Sequence, residues 1–193
     1  MVRRARRNSG RISSVSSVKA AERFAICDDK WQIALDAPVQ VLFYLSANIF
    51  SLEEKVKQAH AAGKFLMVHI DLTEGIGKDR AGIEFVSRCG VDGLISTRSN
   101  LIRIAKETGL ATVQRCFALD SKGVDSIEEI MKTAAPHMVE IMPGVIGKIL
   151  SRFRKIRIPV IAGGLVETKA EVTTALRCGA AAVSTGKQEL WFL

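Results

Sequence analysis

Short apolar runs rich in β-branched residues return along this chain at near-even intervals, and each gap between them carries helix signals. The runs are 39–45, 65–70, 91–95, 110–113, Met138–Met142, 159–162 and 181–184. Most are bounded by Gly, Pro or Asp and stay apolar at consecutive positions, the pattern of parallel strands covered on both faces. Between them, Ser51 with Glu54, Ser126 with Glu129 and Thr168 with Glu171 read as capping boxes at helix starts. Gly63, Gly90, Gly109 and Gly179 stand where a left-handed residue ends a helix. Each connecting helix spans about 10–12 residues, enough for a crossover between parallel strands.

Counting the strands decides the architecture. Seven are clear, and 11–15 (RISSV) is an eighth candidate of weak strand propensity, followed by 18–27 as the first helix. Eight units in 193 residues leave about 24 residues each, which suits a compact (β/α)8 TIM barrel. The competing architecture, an open doubly wound sheet, wants fewer strands or a Gly-rich loop after its first strand. Only seven residues follow Gly186, so the final helix is expected to be short or missing, with 187–191 as one short turn. A ring of helices open at that edge leaves room for a partner chain and so allows a homo-oligomer. Residues 1–10 read as a basic, disordered arm and 11–193 as a single barrel domain.

Composition narrows the setting. Hydrophobic residues make up 48% and charged residues 25%, as in an ordinary globular domain with a core that needs no metal or disulfide staple. No apolar run approaches the ~18 residues of a membrane-crossing helix. A Ser/Arg stretch stands where a signal peptide would carry its apolar region. Cys27, Cys89, Cys116 and Cys178 form no CxxC pair and have no His at zinc-finger spacing, so they read as reduced thiols of a cytoplasmic protein. The net charge is +8, of which Arg3, Arg4, Arg6, Arg7 and Arg11 carry five, leaving a mildly basic body of +3. Such an arm can bind phosphate backbones through counterion release; it reads equally well as a plain tail.

In a barrel, chemistry lies on the loops that follow the strands. After the second clear strand, counted as barrel strand three, His69 and Asp71 are two apart and share one face, with Glu74 close behind. His69 and Asp71 can read one ligand from one side, and a His/Asp/Glu cluster of this kind can ligate a divalent cation. Neighbouring strands end in Ser96-Thr97-Arg98 and in Gln114-Arg115, and two guanidinium groups there suit an anionic ligand. Glu140 follows on the sixth strand, placed to orient ligand hydroxyls or to pair with an arginine. Gly163 and Gly164 on loop seven, with Thr185 and Gly186 on loop eight, form the expected phosphate cradle. No Ser-His-Asp elbow, Walker loop or strand-borne Schiff-base lysine is present. No catalytic or metal residue is therefore assigned. The set describes a pocket for a small phosphorylated polyol better than a reaction centre.

Several segments together resemble the glycerol-3-phosphate-responsive antiterminator family. They are 65–76 (FLMVHIDLTEGI), 93–99 (GLISTRS), Gln114-Arg115, 139–144 (VEIMPG), 158–165 (IPVIAGGL) and 182–186 (AVSTG), with Leu190 and Trp191 after them. The likeness runs in order from about residue 39 to the end. It implies a TIM barrel that binds glycerol 3-phosphate as effector, with no cofactor. It also implies that the barrel acts on the leader mRNA of glycerol-uptake genes to suppress premature termination. Carried over by position, His69, Asp71, Glu74, Ser96, Arg98, Gln114, Arg115 and Glu140 would line the pocket. Gly163, Gly164, Thr185 and Gly186 would hold the phosphate. Family members open with a Pro-containing apolar strand ending in Arg, whereas 11–17 (RISSVSS) has Ser at that place.

Ligand binding is expected to bias the loop 72–80, which carries Gly75 and Gly77. Arg152, Arg154, Lys155 and Arg157 form a candidate RNA face or a solvated helix surface. Two rival functions stand beside this one. One is a small phosphate-binding barrel enzyme (lyase, isomerase or phosphodiesterase) with Asp71 or Glu140 as general base. The other is a sensor that signals through a protein partner.

Overall fold

The structure is a computed structural model, and it describes residues 22–26, as backbone, and 30–193. Eight strands, all pairing in parallel, close into a barrel in sequence order. They are β1 Glu22–Ile26, β2 Val41–Tyr44, β3 Phe65–His69, β4 Gly93–Ser96, β5 Ala111–Phe117, β6 Met138–Met142, β7 Val160–Gly163 and β8 Ala182–Thr185. The helices between them are α1 Trp31–Asp36, α2 Leu52–Ala61, α3 Arg80–Arg88, α4 Ser99–Glu107, α5 Ser121–Ala134, α6 Gly147–Arg152 and α7 Lys169–Arg177. A 3-10 turn, Ile70–Leu72, follows β3, and a second, Gln188–Phe192, stands in place of a final helix. The chain is therefore a (β/α)8 TIM barrel with a stunted last helix.

The first strand is a correction. It lies at Glu22–Ile26, inside the stretch 18–27 that reads as a helix, and the first helix follows it as α1. The charged start of ERFAI masks a strand whose conformation is set by pairing with β8 on one side and β2 on the other. The candidate strand 11–15 and the arm 1–10 lie outside the described residues. So the comparison of RISSVSS with a family first strand rests on a segment upstream of the strand the barrel uses.

Strand alternation sorts the side chains into two sets. Val41, Phe43, Met67, Ile95, Val113, Met138 and Ile161 fill the barrel interior. Residues of the other parity, such as Leu42, Leu66, Leu94, Val139, Ala162 and Val183, pack outward under the helices in two clusters. Gly93 is required by the interior: a Cβ there would collide with the Met67 side chain and lie 2.9 Å from the Ala111 carbonyl.

Helix ends follow the expected chemistry in part. Gly63, Gly90, Gly109 and Gly179 all take positive φ, between 72° and 105°, just past helix ends. Thr168 and Glu171 form a complete capping box on α7. Ser51 is an N-cap position without a side-chain cap bond. Ser126 lies inside α5, whose cap is Asp120, accepting from the Gly123 N–H at 2.7 Å. Asp120 outcompetes Ser126 because a short acceptor at the strand exit meets the free N–H groups of the first turn.

The second 3-10 turn closes the ring of helices. Trp191 is fully buried and donates its indole N–H to the Thr185 carbonyl at 2.9 Å. Beside it, Ile33, Phe192 and Leu193 remain exposed. Among the described residues, no helix is long and apolar enough to cross a membrane.

Candidate functional site at the barrel mouth

The same alternation that fills the barrel with apolar side chains puts polar ones at its upper end. His69, Arg115, Glu140, Gly163 and Ser184 are the next interior positions toward the strand C-termini on their strands. Arg115 pairs in register with Glu140, and Gly163 with Ser184. Arg115, Glu140 and Ser184 join into one buried network. Arg115 Nε donates to Glu140 Oε2 at 2.6 Å, and Ser184 Oγ donates to Glu140 Oε1 at 2.5 Å. Gly163 is what permits this approach: a Cβ there would strike Glu140 Oε1 and lie 2.7 Å from Ser184 Oγ.

Two polar atoms in this layer have no partner. Arg115 is 7% exposed and His69 is 3% exposed. Arg115 Nη2 and His69 Nδ1 nevertheless carry no hydrogen bond. Each unpaired buried group of this kind costs about 1–3 kcal/mol, so both donors or acceptors are poised for something that enters the mouth. Burial foremost, then the neighbouring Arg115, lowers the His69 pKa and keeps its imidazole neutral.

Asp71 is differently placed. It accepts from Ser96 Oγ at 2.8 Å, the Thr97 N–H at 2.7 Å and Thr97 Oγ1 at 2.9 Å. His69 Nδ1 and Arg98 Nε lie 3.9 and 3.8 Å from its oxygens. Burial pushes its pKa up, but these hydrogen bonds outweigh burial and hold it below the usual carboxylate value. Asp71 thus ties the loop after β3 to the loop after β4. It and Glu140, the two carboxylates an enzyme would use as general base, are each already engaged.

Ser96 and Gln114 are fully buried on the outward parity of β4 and β5. Gln114 Nε2 donates to the Thr97 carbonyl at 2.9 Å, while its Oε1 has no partner. Arg98 is over half exposed at the rim. Glu74 is drawn away from the centre. It forms a β-bridge with Asn48 on the loop after β2, and its carboxylate accepts from Asn48 Nδ2 at 3.0 Å. The loop 72–80 is pinned further by Lys78, whose Nζ donates to Thr73 Oγ1 and to the Ile76 carbonyl.

Loops seven and eight enclose a cavity of about 290 Å³, lined by Gly164, Ser184, Thr185 and Gly186. Lys30, Leu165, Val166, Glu167 and Lys187 complete its wall. Of the cradle read from sequence, Gly164, Thr185 and Gly186 line a space near the lower size bound of ligand pockets, ~300 Å³, whereas Gly163 does not and instead faces Glu140 and Ser184. Two parts of it are already bonded within the protein. Thr185 Oγ1 donates to the Val166 carbonyl at 2.7 Å and accepts from the Lys187 N–H at 3.1 Å. The N–H groups of Glu167 and Thr168, ahead of α7, both donate to Glu171. Lys30 was not among the sequence candidates. It reaches loop eight from the first βα connection, donating to the Gly186 carbonyl at 3.0 Å. Gly164 and Leu165 both take positive φ, 71° and 60°, and Leu165 is exposed on the rim.

The candidate RNA-face residues lie away from this mouth, at the end of α6 and beyond it. Arg152 is held by Asp125 at 2.8 Å and Glu128 at 3.0 Å. The Arg154 stem packs against Gly179. Lys155 and Arg157 are exposed. Cys89, Cys116 and Cys178 are free thiols, and burial, with Glu140 nearby, pushes Cys116 up to about 12. Among the described residues, no group of three or more His, Cys, Asp and Glu gathers as a metal site.

The chain matches the family model described as glycerol-3-phosphate responsive antiterminator over residues 25–191. It is 34% identical over 164 residues to the uncharacterized protein YgcP of Escherichia coli (strain K12), covering 84% of this chain and 86% of that protein. A glycerol uptake operon antiterminator regulatory protein from Listeria monocytogenes str. 4b F2365 superposes with a TM-score of 0.82 at 32% identity, covering 91% of this chain and 96% of that one. A glycerol uptake operon antiterminator-related protein from Thermotoga maritima MSB8 gives 0.80 at 31% identity, covering 91% and 99%.

Proposed function

Because this chain belongs to the glycerol-3-phosphate responsive antiterminator family, we propose that it is a cytoplasmic sensor of glycerol 3-phosphate that acts on leader mRNA of glycerol-uptake genes. The observation that carries the ligand reading is the pair of unpartnered buried atoms, Arg115 Nη2 and His69 Nδ1, in the polar layer of the barrel mouth, which Ser184 and Glu140 connect to the cavity of loops seven and eight. The phosphate lies in that cavity against Gly164, Thr185 and Gly186, while Gly163 lets Ser184 and Glu140 approach each other next to it. The glycerol hydroxyls reach inward to Arg115 and His69, which thereby gain the bonds they lack. Ser184 lines the cavity and bonds Glu140, which holds Arg115, so one network runs from the phosphate end to the hydroxyl end. Asp71, Ser96 and Gln114 support this layer from behind, and Arg98 and Glu74 stand at the rim.

Ligand binding alters RNA affinity only through a difference in affinity between two states of the protein. The loops that meet at the mouth are the segments a ligand touches, so they carry that difference. Arg154, Lys155 and Arg157 supply a basic edge for the RNA phosphates, while Arg152 stays with its two carboxylates. The test is run-off transcription through a glycerol-uptake leader terminator with purified protein. Readthrough is expected to rise when protein and glycerol 3-phosphate are both present, and with neither alone. Equal readthrough with and without glycerol 3-phosphate would overturn the sensor reading.

A further inference from the structure

We infer that Lys30 and Lys187 are the cations that neutralise the ligand's phosphate, and that Glu167 is the anion the phosphate displaces. This inference rests on the proposed phosphate position at loops seven and eight. A phosphate dianion in a partly closed cavity needs positive charge close by. The arginines do not supply it there. Arg115 is already neutralised by Glu140, and Arg98 follows β4, on the far side of an eight-stranded ring from β8. The start of α7 does not supply it either, because its leading N–H groups are taken by Glu171.

Two lysines line the cavity itself. Lys30 is half-buried and gives one N–H to the Gly186 carbonyl at 3.0 Å, which fixes its ammonium at the wall and leaves further donors for a ligand. Lys187 stands opposite Glu167, with Nζ 3.6 Å from Oε1. Lys187 follows loop eight and Glu167 follows loop seven, so their ion pair spans the two lips of the cavity. An incoming dianion carries more charge than a carboxylate and brings three acceptor oxygens to Lys187. It therefore takes that lysine over, and Glu167 swings outward to solvent. The carboxylate is then a selectivity device: it occupies the cation until a ligand of higher charge arrives, and it disfavours uncharged glycerol.

Equilibrium dialysis of the full chain against glycerol 3-phosphate and, separately, inorganic phosphate tests this. Lys30→Ala and Lys187→Ala are each expected to weaken both ligands by about tenfold or more, as loss of a charge-assisted contact does. Glu167→Gln is expected to tighten both, and Lys57→Ala, an exposed lysine on α2, to leave them unchanged. If glycerol 3-phosphate binds the unaltered chain and the lysine variants match it within twofold, this inference fails and the sensor reading stands. Weaker binding in Glu167→Gln also overturns it. If inorganic phosphate binds with the lysine dependence and glycerol 3-phosphate does not, the inference stands and the sensor reading fails. Absence of binding by either ligand sinks both.

Discussion

Arg115 and Glu140 show how a single buried pair organises the mouth. Each would be costly alone in the barrel, and breaking such a pair by removing one partner typically costs about 3–5 kcal/mol. The pair is therefore fixed, and the guanidinium nitrogen left over is held rigidly at the barrel mouth. His69 adds a pH signature. Burial lowers its pKa, and the same holds for His137 on the loop before β6. The unfolded chain takes up these protons near pH 6.5, whereas the folded chain resists them until lower pH. Stability is thus expected to be full above about pH 6.5 and to fall below it, by at most about 1.4 kcal/mol per pH unit for each histidine. Urea unfolding at pH 7.5 and pH 5 checks this. The double variant His69→Gln, His137→Gln should flatten the difference, and an unchanged difference would contradict the assignment. At this scale much of the candidate site was legible: a charged side chain at the end of an apolar strand marks the polar layer of the mouth, and His69, Arg115 and Glu140 were singled out that way. Lys30 was not, because its partner Gly186 is 156 residues away and they meet only through barrel closure.

Elements were legible wherever local chemistry and tertiary pairing agree. The apolar runs that became β2 to β8 lie within a few residues of the strands observed, and the positive-φ glycines end helices as their positions imply. Agreement failed where one residue type serves two purposes. Glu22 and Arg23 look helical, yet β8 and β2 recruit that segment as a strand. Ser126 and Glu129 carry a capping signature inside a helix that Asp120 had already begun. The short 3-10 turn after β8 shows the opposite economy: a few residues do the work of a helix because Trp191 is large, fully buried and bonded to Thr185. Trp191→Ala is expected to cost about 3–5 kcal/mol, read as a fall in the urea midpoint. Because Thr185 also clasps loop seven through Val166, the same variant should weaken glycerol 3-phosphate binding. A variant that unfolds as the parent does would show that the turn merely covers the edge.

For the molecule as a whole, closure of the barrel brings the first connection beside loop eight and sets an apolar interior beneath a polar mouth. The two unpartnered atoms stand above this apolar floor, and a cavity of about 290 Å³ opens between loops seven and eight. The central claim is that this ligand is glycerol 3-phosphate, held by its phosphate at loops seven and eight and by its hydroxyls at the barrel centre. Glycerol 3-phosphate itself entered only through the resemblance to the family, while a pocket for a phosphorylated polyol was within reach of the residues alone because glycines, arginines and carboxylates fall at strand ends. The division of labour among them was not, since it depends on which charges neutralise one another across the ring. Calorimetric titration of the full chain with glycerol 3-phosphate, with glycerol as control, tests the claim most directly. Saturable one-site binding of the phosphate ester, with glycerol silent, is the predicted result. No heat at millimolar glycerol 3-phosphate, or equal binding of glycerol, would contradict it.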